Sequence, residues 1–263
     1  NMGRETYLMP MQWEPTIVKW EQVSEDRWEP LRYLFPVVAP LTGKVERFTP
    51  LPYADKPQYI NNTVVDDFLD ENLDLRWTFV RVPEDKTYSL SENPGFLRLY
   101  SKPGIIQNRK RFSLVGFRQK ESDFEFEVKM NFSSEEDKVE SGIIHYQKEW
   151  NYLTNTVTKV KKKYYLEQKL KEKSKEVVTL KKTILKGYDG NIILKVKSKK
   201  DKYDFYYSLN NGSSFIYFTS MDAIKILDRN YTGALLGLFT TSNGSSSQDY
   251  ADYDWVRYKD FLR

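Results

Sequence analysis

Strand-length runs of aromatic and β-branched residues recur through most of the chain, and they constrain its fold more than any other feature. They are FLRLYS (96–101), RFSLVGFRQ (111–119), DFEFEVKMNF (123–132), SGIIHYQKEWNYL (141–153), NIILKVKS (191–198), KYDFYYSL (202–209), SSFIYFTS (213–220), ALLGLFTT (234–241) and YADYDWVRY (250–258). Many alternate apolar with polar residues, the period-2 signature of a half-buried strand. Turn residues such as Asp189-Gly190 and Asn210-Asn211-Gly212 separate them. Tyr 19, Phe 15 and Trp 6 in 263 residues push the same way, because flat side chains suit a pleated surface. With no convincing amphipathic helix, the expected fold is all-β, an antiparallel two-sheet sandwich.

The first third reads differently. Residues 1–30 contain a short apolar run, Thr6 to Met11, then Trp13 and Trp20, with Pro10 and Pro15 limiting strands there to edges or ends. Residues 31–65 read as a Pro-rich linker, since prolines 30, 36, 40, 50, 52 and 57 fall in or beside them. The sandwich is expected over 66–263. Within it the basic stretch 159–182 reads as a long charged hairpin with its polar tip around Lys171 to Lys175, because Tyr164 and Leu166 alternate on one side and Val177 and Thr179 on the other.

Several classes of chemistry drop out. The chain has no cysteine and a single histidine, His145, so disulfides, thiolate metal sites, cysteine nucleophiles and multi-histidine metal sites are excluded. No run of eighteen apolar residues occurs, so no apolar helix of spanning length is expected. The start Asn1-Met2-Gly3-Arg4 lacks a basic segment followed by an apolar one and does not read as a signal peptide; it reads as the interior of a longer chain.

Five segments resemble the C-terminal domain of glycoside hydrolase family 43 enzymes of the β-xylosidase and α-arabinofuranosidase type. They are SLVGFRQKESDFEFEVKM (113–130), SGIIHYQKEWNYL (141–153), DFYYSLNNGSSF (204–215), YTGALLGLF (231–239) and YADYDWVRYKDF (250–261). NMGRETYLMPMQW (1–13) resembles the last strand of that family's five-bladed catalytic propeller, and FPVVAPLTGKV (35–45) the tail joining propeller to sandwich. The resemblance implies a concanavalin A-like jelly roll preceded by a propeller-blade remnant. It also implies inverting hydrolysis of xylose- or arabinose-containing oligosaccharides without an organic cofactor. The family's acid and base carboxylates precede the GRET motif, so no catalytic residue is expected in this fragment and the chain alone should be inactive.

By the same resemblance, Arg4 reaches hydroxyls of the innermost sugar, a task suited to a guanidinium's fixed fork of donors. Tyr231 sits on a sandwich loop that closes the pocket with its ring. These are the two substrate-binding candidates. The expected partners are an oligosaccharide substrate and an upstream propeller domain, with no nucleic acid and no membrane, and with a homo-oligomer left open.

The remaining candidates have plainer readings. Asp66, Asp67, Asp252 and Asp254 fall near the first and last sandwich strands and could offer oxygen ligands to Ca²⁺, although solvated strand-end carboxylates are the default and no metal residue is assigned. His145 reads as a packed or surface histidine rather than a base. The lysines of 159–175 are interspersed with Glu167, Glu172 and Glu176 and read as a solvated face rather than a polyanion site. Sequons at Asn61, Asn131, Asn211, Asn230 and Asn243 leave localisation open, secreted or cytoplasmic. The rival function is a non-catalytic carbohydrate-binding module, for which Tyr146, Trp150 and Tyr152 would line an exposed groove.

Overall fold

The computed structural model describes residues 9–45, 63–108, 112–226 and 233–261. Strands β1 (Met11–Ser24) and β2 (Arg27–Val38) form an antiparallel hairpin from Met11 opposite Val38 to Ser24 opposite Arg27, with the register shifting between Ile17 and Lys19 and again between Gln22 and Ser24. Residues 31–38, expected to begin a linker, are therefore strand. Proline did not prevent this, because each strand of a two-stranded sheet has one unpaired edge where a missing N–H breaks no ladder. The hairpin belongs to one compact unit of the chain, and the later strands form a second. Trp13, Trp20 and Trp28 remain 56%, 57% and 56% exposed. A two-stranded hairpin is marginal by itself in water, and a large exposed apolar surface marks a place where something binds.

The second unit is a sandwich built from β3 (Thr63–Asp66), β4 (Thr78–Phe79), β5 (Tyr88–Ser89), β6 (Leu97–Tyr100), β7 (Ser113–Arg118), β8 (Phe124–Phe132), β9 (Glu140–Lys148), β10 (Asn151–Val160), β11 (Lys163–Glu172), β12 (Val178–Ile184), β13 (Asn191–Lys199), β14 (Lys202–Ser208), β15 (Ile216–Asp222), β16 (Leu235–Thr241) and β17 (Tyr250–Asp260). One sheet runs β12-β11-β10-β9-β16-β7-β4 and the other β15-β14-β13-β8-β17-β6-β5, with β3 also paired to β17. All these ladders are antiparallel. The all-β sandwich expected from the sequence is what the chain forms.

Alternation decides which side chains face inward. Phe126, Val128 and Met130 of β8 and Val196 of β13 pack with Ile143 of β9, Leu153 and Val157 of β10 and Leu238 of β16 in the main core. The opposite face of the seven-stranded sheet carries a second apolar cluster, in which Ile144 and Tyr146 of β9, Tyr152 of β10 and Phe239 of β16 pack with Ile106 and Leu114. That sheet is thus apolar on both sides, which is why β9 is buried along nearly its whole length. Tyr253 ties the sheets together. Its hydroxyl, in β17, lies 2.9 Å from the carbonyl of Gly142 and 3.0 Å from that of Phe239, both in the facing sheet.

One local expectation needs adjusting and another holds. The run 141–153 is two strands, β9 and β10, turning at Glu149-Trp150, and not one. The stretch 159–182 does form a hairpin, β11 with β12, and Lys173 at its tip sits at φ 52°.

Candidate functional site

Arg4 and Tyr231, the two expected substrate contacts, lie outside the described residues. The other candidates can be placed.

The four aspartates do not converge. Asp66 accepts hydrogen bonds from the backbone N–H of Phe68 (3.0 Å) and the indole N–H of Trp77 (2.7 Å). Asp252 receives the Nε and Nη2 of Arg98, both at 2.8 Å, and the Nδ2 of Asn93 at 2.8 Å. Asp254 pairs with Lys129 at 2.7 Å. Arg98 also lies 3.8 Å from the centre of the Tyr250 ring. The carboxylate hydrogen bond raises its already high pKa further. Among the described residues no group of three or more acidic or histidine side chains is placed to hold a metal. Millimolar calcium and a chelator are therefore expected to give the same melting temperature; a calcium-dependent rise abolished in Asp254→Asn would reverse this reading.

His145 is 1% exposed on the inner face of β9. Its ring stacks on Tyr203 at 4.9 Å between centres and lies 6.1 Å from Phe124 and 6.2 Å from Phe205. Among the described residues neither ring nitrogen has a hydrogen-bond partner, and burial pushes the imidazole down to about 3. It is a neutral core side chain that, among the described residues, has no carboxylate or nucleophile hydrogen-bonded to it.

The aromatic trio is not an exposed platform. Tyr146 and Tyr152 face one another across β9 and β10 and are 6% and 4% exposed. Trp150 occupies the turn, with the Lys148 ammonium 5.4 Å from its ring.

Spacing alone gave no sign of a cleft of about 420 Å³ on the outer face of the seven-stranded sheet. Ile106, Phe239, Tyr152 and Val177 provide apolar wall, and Glu140, Thr154, Lys169, Thr179 and Asn243 line the rest. Register builds its floor. Thr154 stands opposite Lys169, and Lys169 opposite Thr179, so three strands place one row of side chains on one face. Glu140, 5% exposed, accepts from Lys169 Nζ (2.7 Å), Thr156 Oγ1 (3.0 Å) and Asn243 Nδ2 (3.2 Å). Lys169 also reaches Glu167 at 3.3 Å, and Lys182 pairs with Glu167 from β12. Burial works against the Lys169 ammonium, but the two glutamates outweigh it and hold its pKa above the usual value. Burial likewise opposes the Glu167 carboxylate, and Lys182 and Lys169 hold its pKa below the usual value.

Comparison with known proteins places this sandwich. Residues 65–259 match the family described as Beta xylosidase C-terminal Concanavalin A-like domain. The chain is 26% identical to the non-reducing end alpha-L-arabinofuranosidase BoGH43B of Bacteroides ovatus over 98% of this chain and 45% of that protein. It is 29% identical to a xylosidase/arabinosidase of Butyrivibrio fibrisolvens over 97% of this chain and 46% of that protein. The crystal structure of the GH43 BlXynB protein from Bacillus licheniformis superposes with a TM-score of 0.75 and 27% identity, over 98% of this chain and 47% of that one. The chain spans less than half the length of the curated relatives it matches. With a two-sheet antiparallel sandwich matched across three-quarters of its length, this chain belongs to the family of β-xylosidase C-terminal concanavalin A-like domains of glycoside hydrolase family 43.

Proposed function

We propose that the chain is the C-terminal portion of a glycosidase that removes xylose or arabinose units from short oligosaccharides by inverting hydrolysis. The observation that carries this reading is the extent of the match: both curated relatives, named for these activities, align across nearly the whole chain while the chain accounts for under half of each. The exposed indoles of the β1–β2 hairpin support a partner surface there, and a catalytic propeller supplied by an upstream segment is the partner we assign.

The division of labour follows from the chemistry. Inverting hydrolysis needs one carboxylic acid to protonate the leaving oxygen and one carboxylate to activate water on the opposite face of the sugar. We assign both to the upstream domain. Arg4 donates to sugar hydroxyls in the innermost subsite without depending on its own protonation. Tyr231 lays its ring against the bound sugar and excludes water.

Kinetics of the whole protein test these roles. Arg4→Ala should lower kcat/KM about ten- to a hundredfold, the ~1.5–3 kcal/mol of a charge-assisted hydrogen bond, with little change in melting temperature. Tyr231→Ala should raise KM for disaccharide-sized substrates with a smaller loss in kcat, and Tyr231→Phe should be nearly silent. An unchanged kcat/KM in Arg4→Ala, or lowered thermal stability with unchanged KM in Tyr231→Ala, would return that residue to a structural role.

A further inference from the structure

We propose that the cleft on the outer face of the seven-stranded sheet is a carbohydrate-binding site of its own, holding a sugar unit of a neutral oligosaccharide away from the reacting bond. Its volume, about 420 Å³, falls within the ~300–1,000 Å³ of small-molecule sites.

Its most telling member is Thr154. The residue is 2% exposed and lines the cleft, yet among the described residues its hydroxyl has no hydrogen-bond partner. Buried polar groups are nearly always paired, so an orphan in a cleft wall asks for a partner from outside the chain. Lys169, directly across the ladder from Thr154, keeps 24% of its side chain exposed although Glu140 and Glu167 hold its ammonium. Asn243 on the rim donates its amide N–H to Glu140 and to the carbonyl of Lys138. The lining also carries apolar side chains, Ile106, Phe239 and Val177. Polar groups together with aliphatic and aromatic carbon in one lining match a sugar ring, which has hydroxyls at its edge and C–H groups on its faces.

Charge decides against ionic ligands. Lys169 and Lys182 are matched by Glu140 and Glu167 in one connected network. In the cleft lining itself Lys169 is paired with Glu140, so a charged ligand must compete with that pair, and a neutral polyol is the class that keeps it intact. The inference rests on the proposed activity only for the choice of pentose oligosaccharide as probe.

Calorimetric titration of the 263-residue chain with xylotriose tests it, with trigalacturonate as the charged comparison. Xylotriose should bind, and Thr154→Val and Thr179→Trp should each weaken it at least tenfold. Thr179 is exposed at the rim, so its tryptophan variant fills the cleft without disturbing the core and keeps the test valid if Thr154→Val loses stability. Absence of xylotriose binding, binding unaffected by Thr179→Trp, or tighter binding of trigalacturonate would overturn the proposal. Turnover of an aryl xyloside by the whole protein reports on the activity and not on this cleft. Intact turnover without xylotriose binding would sink the cleft alone, and cleft binding without turnover would sink the activity alone.

Discussion

Between pH 7 and pH 4.5 the sandwich is expected to lose about 2.5 kcal/mol of stability through His145 alone. The folded chain holds this imidazole neutral, with a pKa of about 3, whereas the unfolded chain protonates it near the ordinary value of ~6.5. Below that value the unfolded state binds more protons, so stability falls by about 1.4 kcal/mol for each unit of pH until the folded pKa is reached. The carboxylates Glu125, Glu167 and Asp74, held below their ordinary range, contribute in a separate window. Their stabilisation is present above the unfolded values of ~4.3 for glutamate and ~3.9 for aspartate and is lost only as pH falls below them. Urea unfolding at pH 7, 6, 5 and 4.5 resolves the two. His145→Phe should remove most of the loss between pH 6.5 and 4.5, and it leaves no buried nitrogen unpaired. A wild-type curve flat over that window would show that the imidazole is hydrated or paired in solution.

Gly142→Ala should cost about 3 kcal/mol or more, a drop of roughly 6–12 °C in melting temperature for a domain of this size. A Cβ there would lie 2.1 Å from the carbonyl oxygen of Asn155 and 2.8 Å from the Cα of Thr156, both backbone atoms of β10. Backbone in the middle of a sheet cannot turn aside, so β9 and β10 must separate, and the Tyr253 bond to the Gly142 carbonyl is strained with them. Gly187→Ala is the comparison. Its φ of 75° imposes the left-handed penalty of ~1–2 kcal/mol, but nothing lies within 4 Å of the added methyl. If the two variants lose equal stability, the close approach of β9 to β10 at Gly142 is wrong.

The strands were legible because hydrophobic alternation is local. Phe124-Glu125-Phe126-Glu127-Val128 declares its two faces in five residues, and the structure buries the apolar set against the opposite sheet. Turns were harder. Lys138, Lys161, Lys162, Lys173 and Lys200 all adopt positive φ, where glycine or asparagine is the usual signal. The run 141–153 read as one strand for the same reason, since Lys148, Glu149 and Trp150 at its turn include no Gly, Pro, Asn or Asp. Proline misled at 30 and 36, because its veto applies to strands paired on both sides and β2 is paired on one.

The outer-face cleft could not be read at all. Glu140, Thr154 and Lys169 come from three strands, and only the register that sets Thr154 opposite Lys169 makes them neighbours. A one-residue slip would send Thr154 to the core face, so the site exists in the pairing and not in any motif. The partners of the acidic residues were equally hidden: Asp66, Asp252 and Asp254 read as solvated strand-end carboxylates, whereas Trp77, Arg98 and Lys129 hydrogen-bond or pair with them.

We propose above that this chain completes a glycosidase whose acid and base are carried upstream. Hydrolysis of aryl xylosides and arabinofuranosides, measured for the 263-residue chain alone and for the same chain joined to its upstream segment, tests it most directly. The expected result is no turnover above background by the chain alone and ready turnover by the joined protein. Turnover by the chain alone that persists through repeated purification and is abolished by substituting one of its own carboxylates would contradict it.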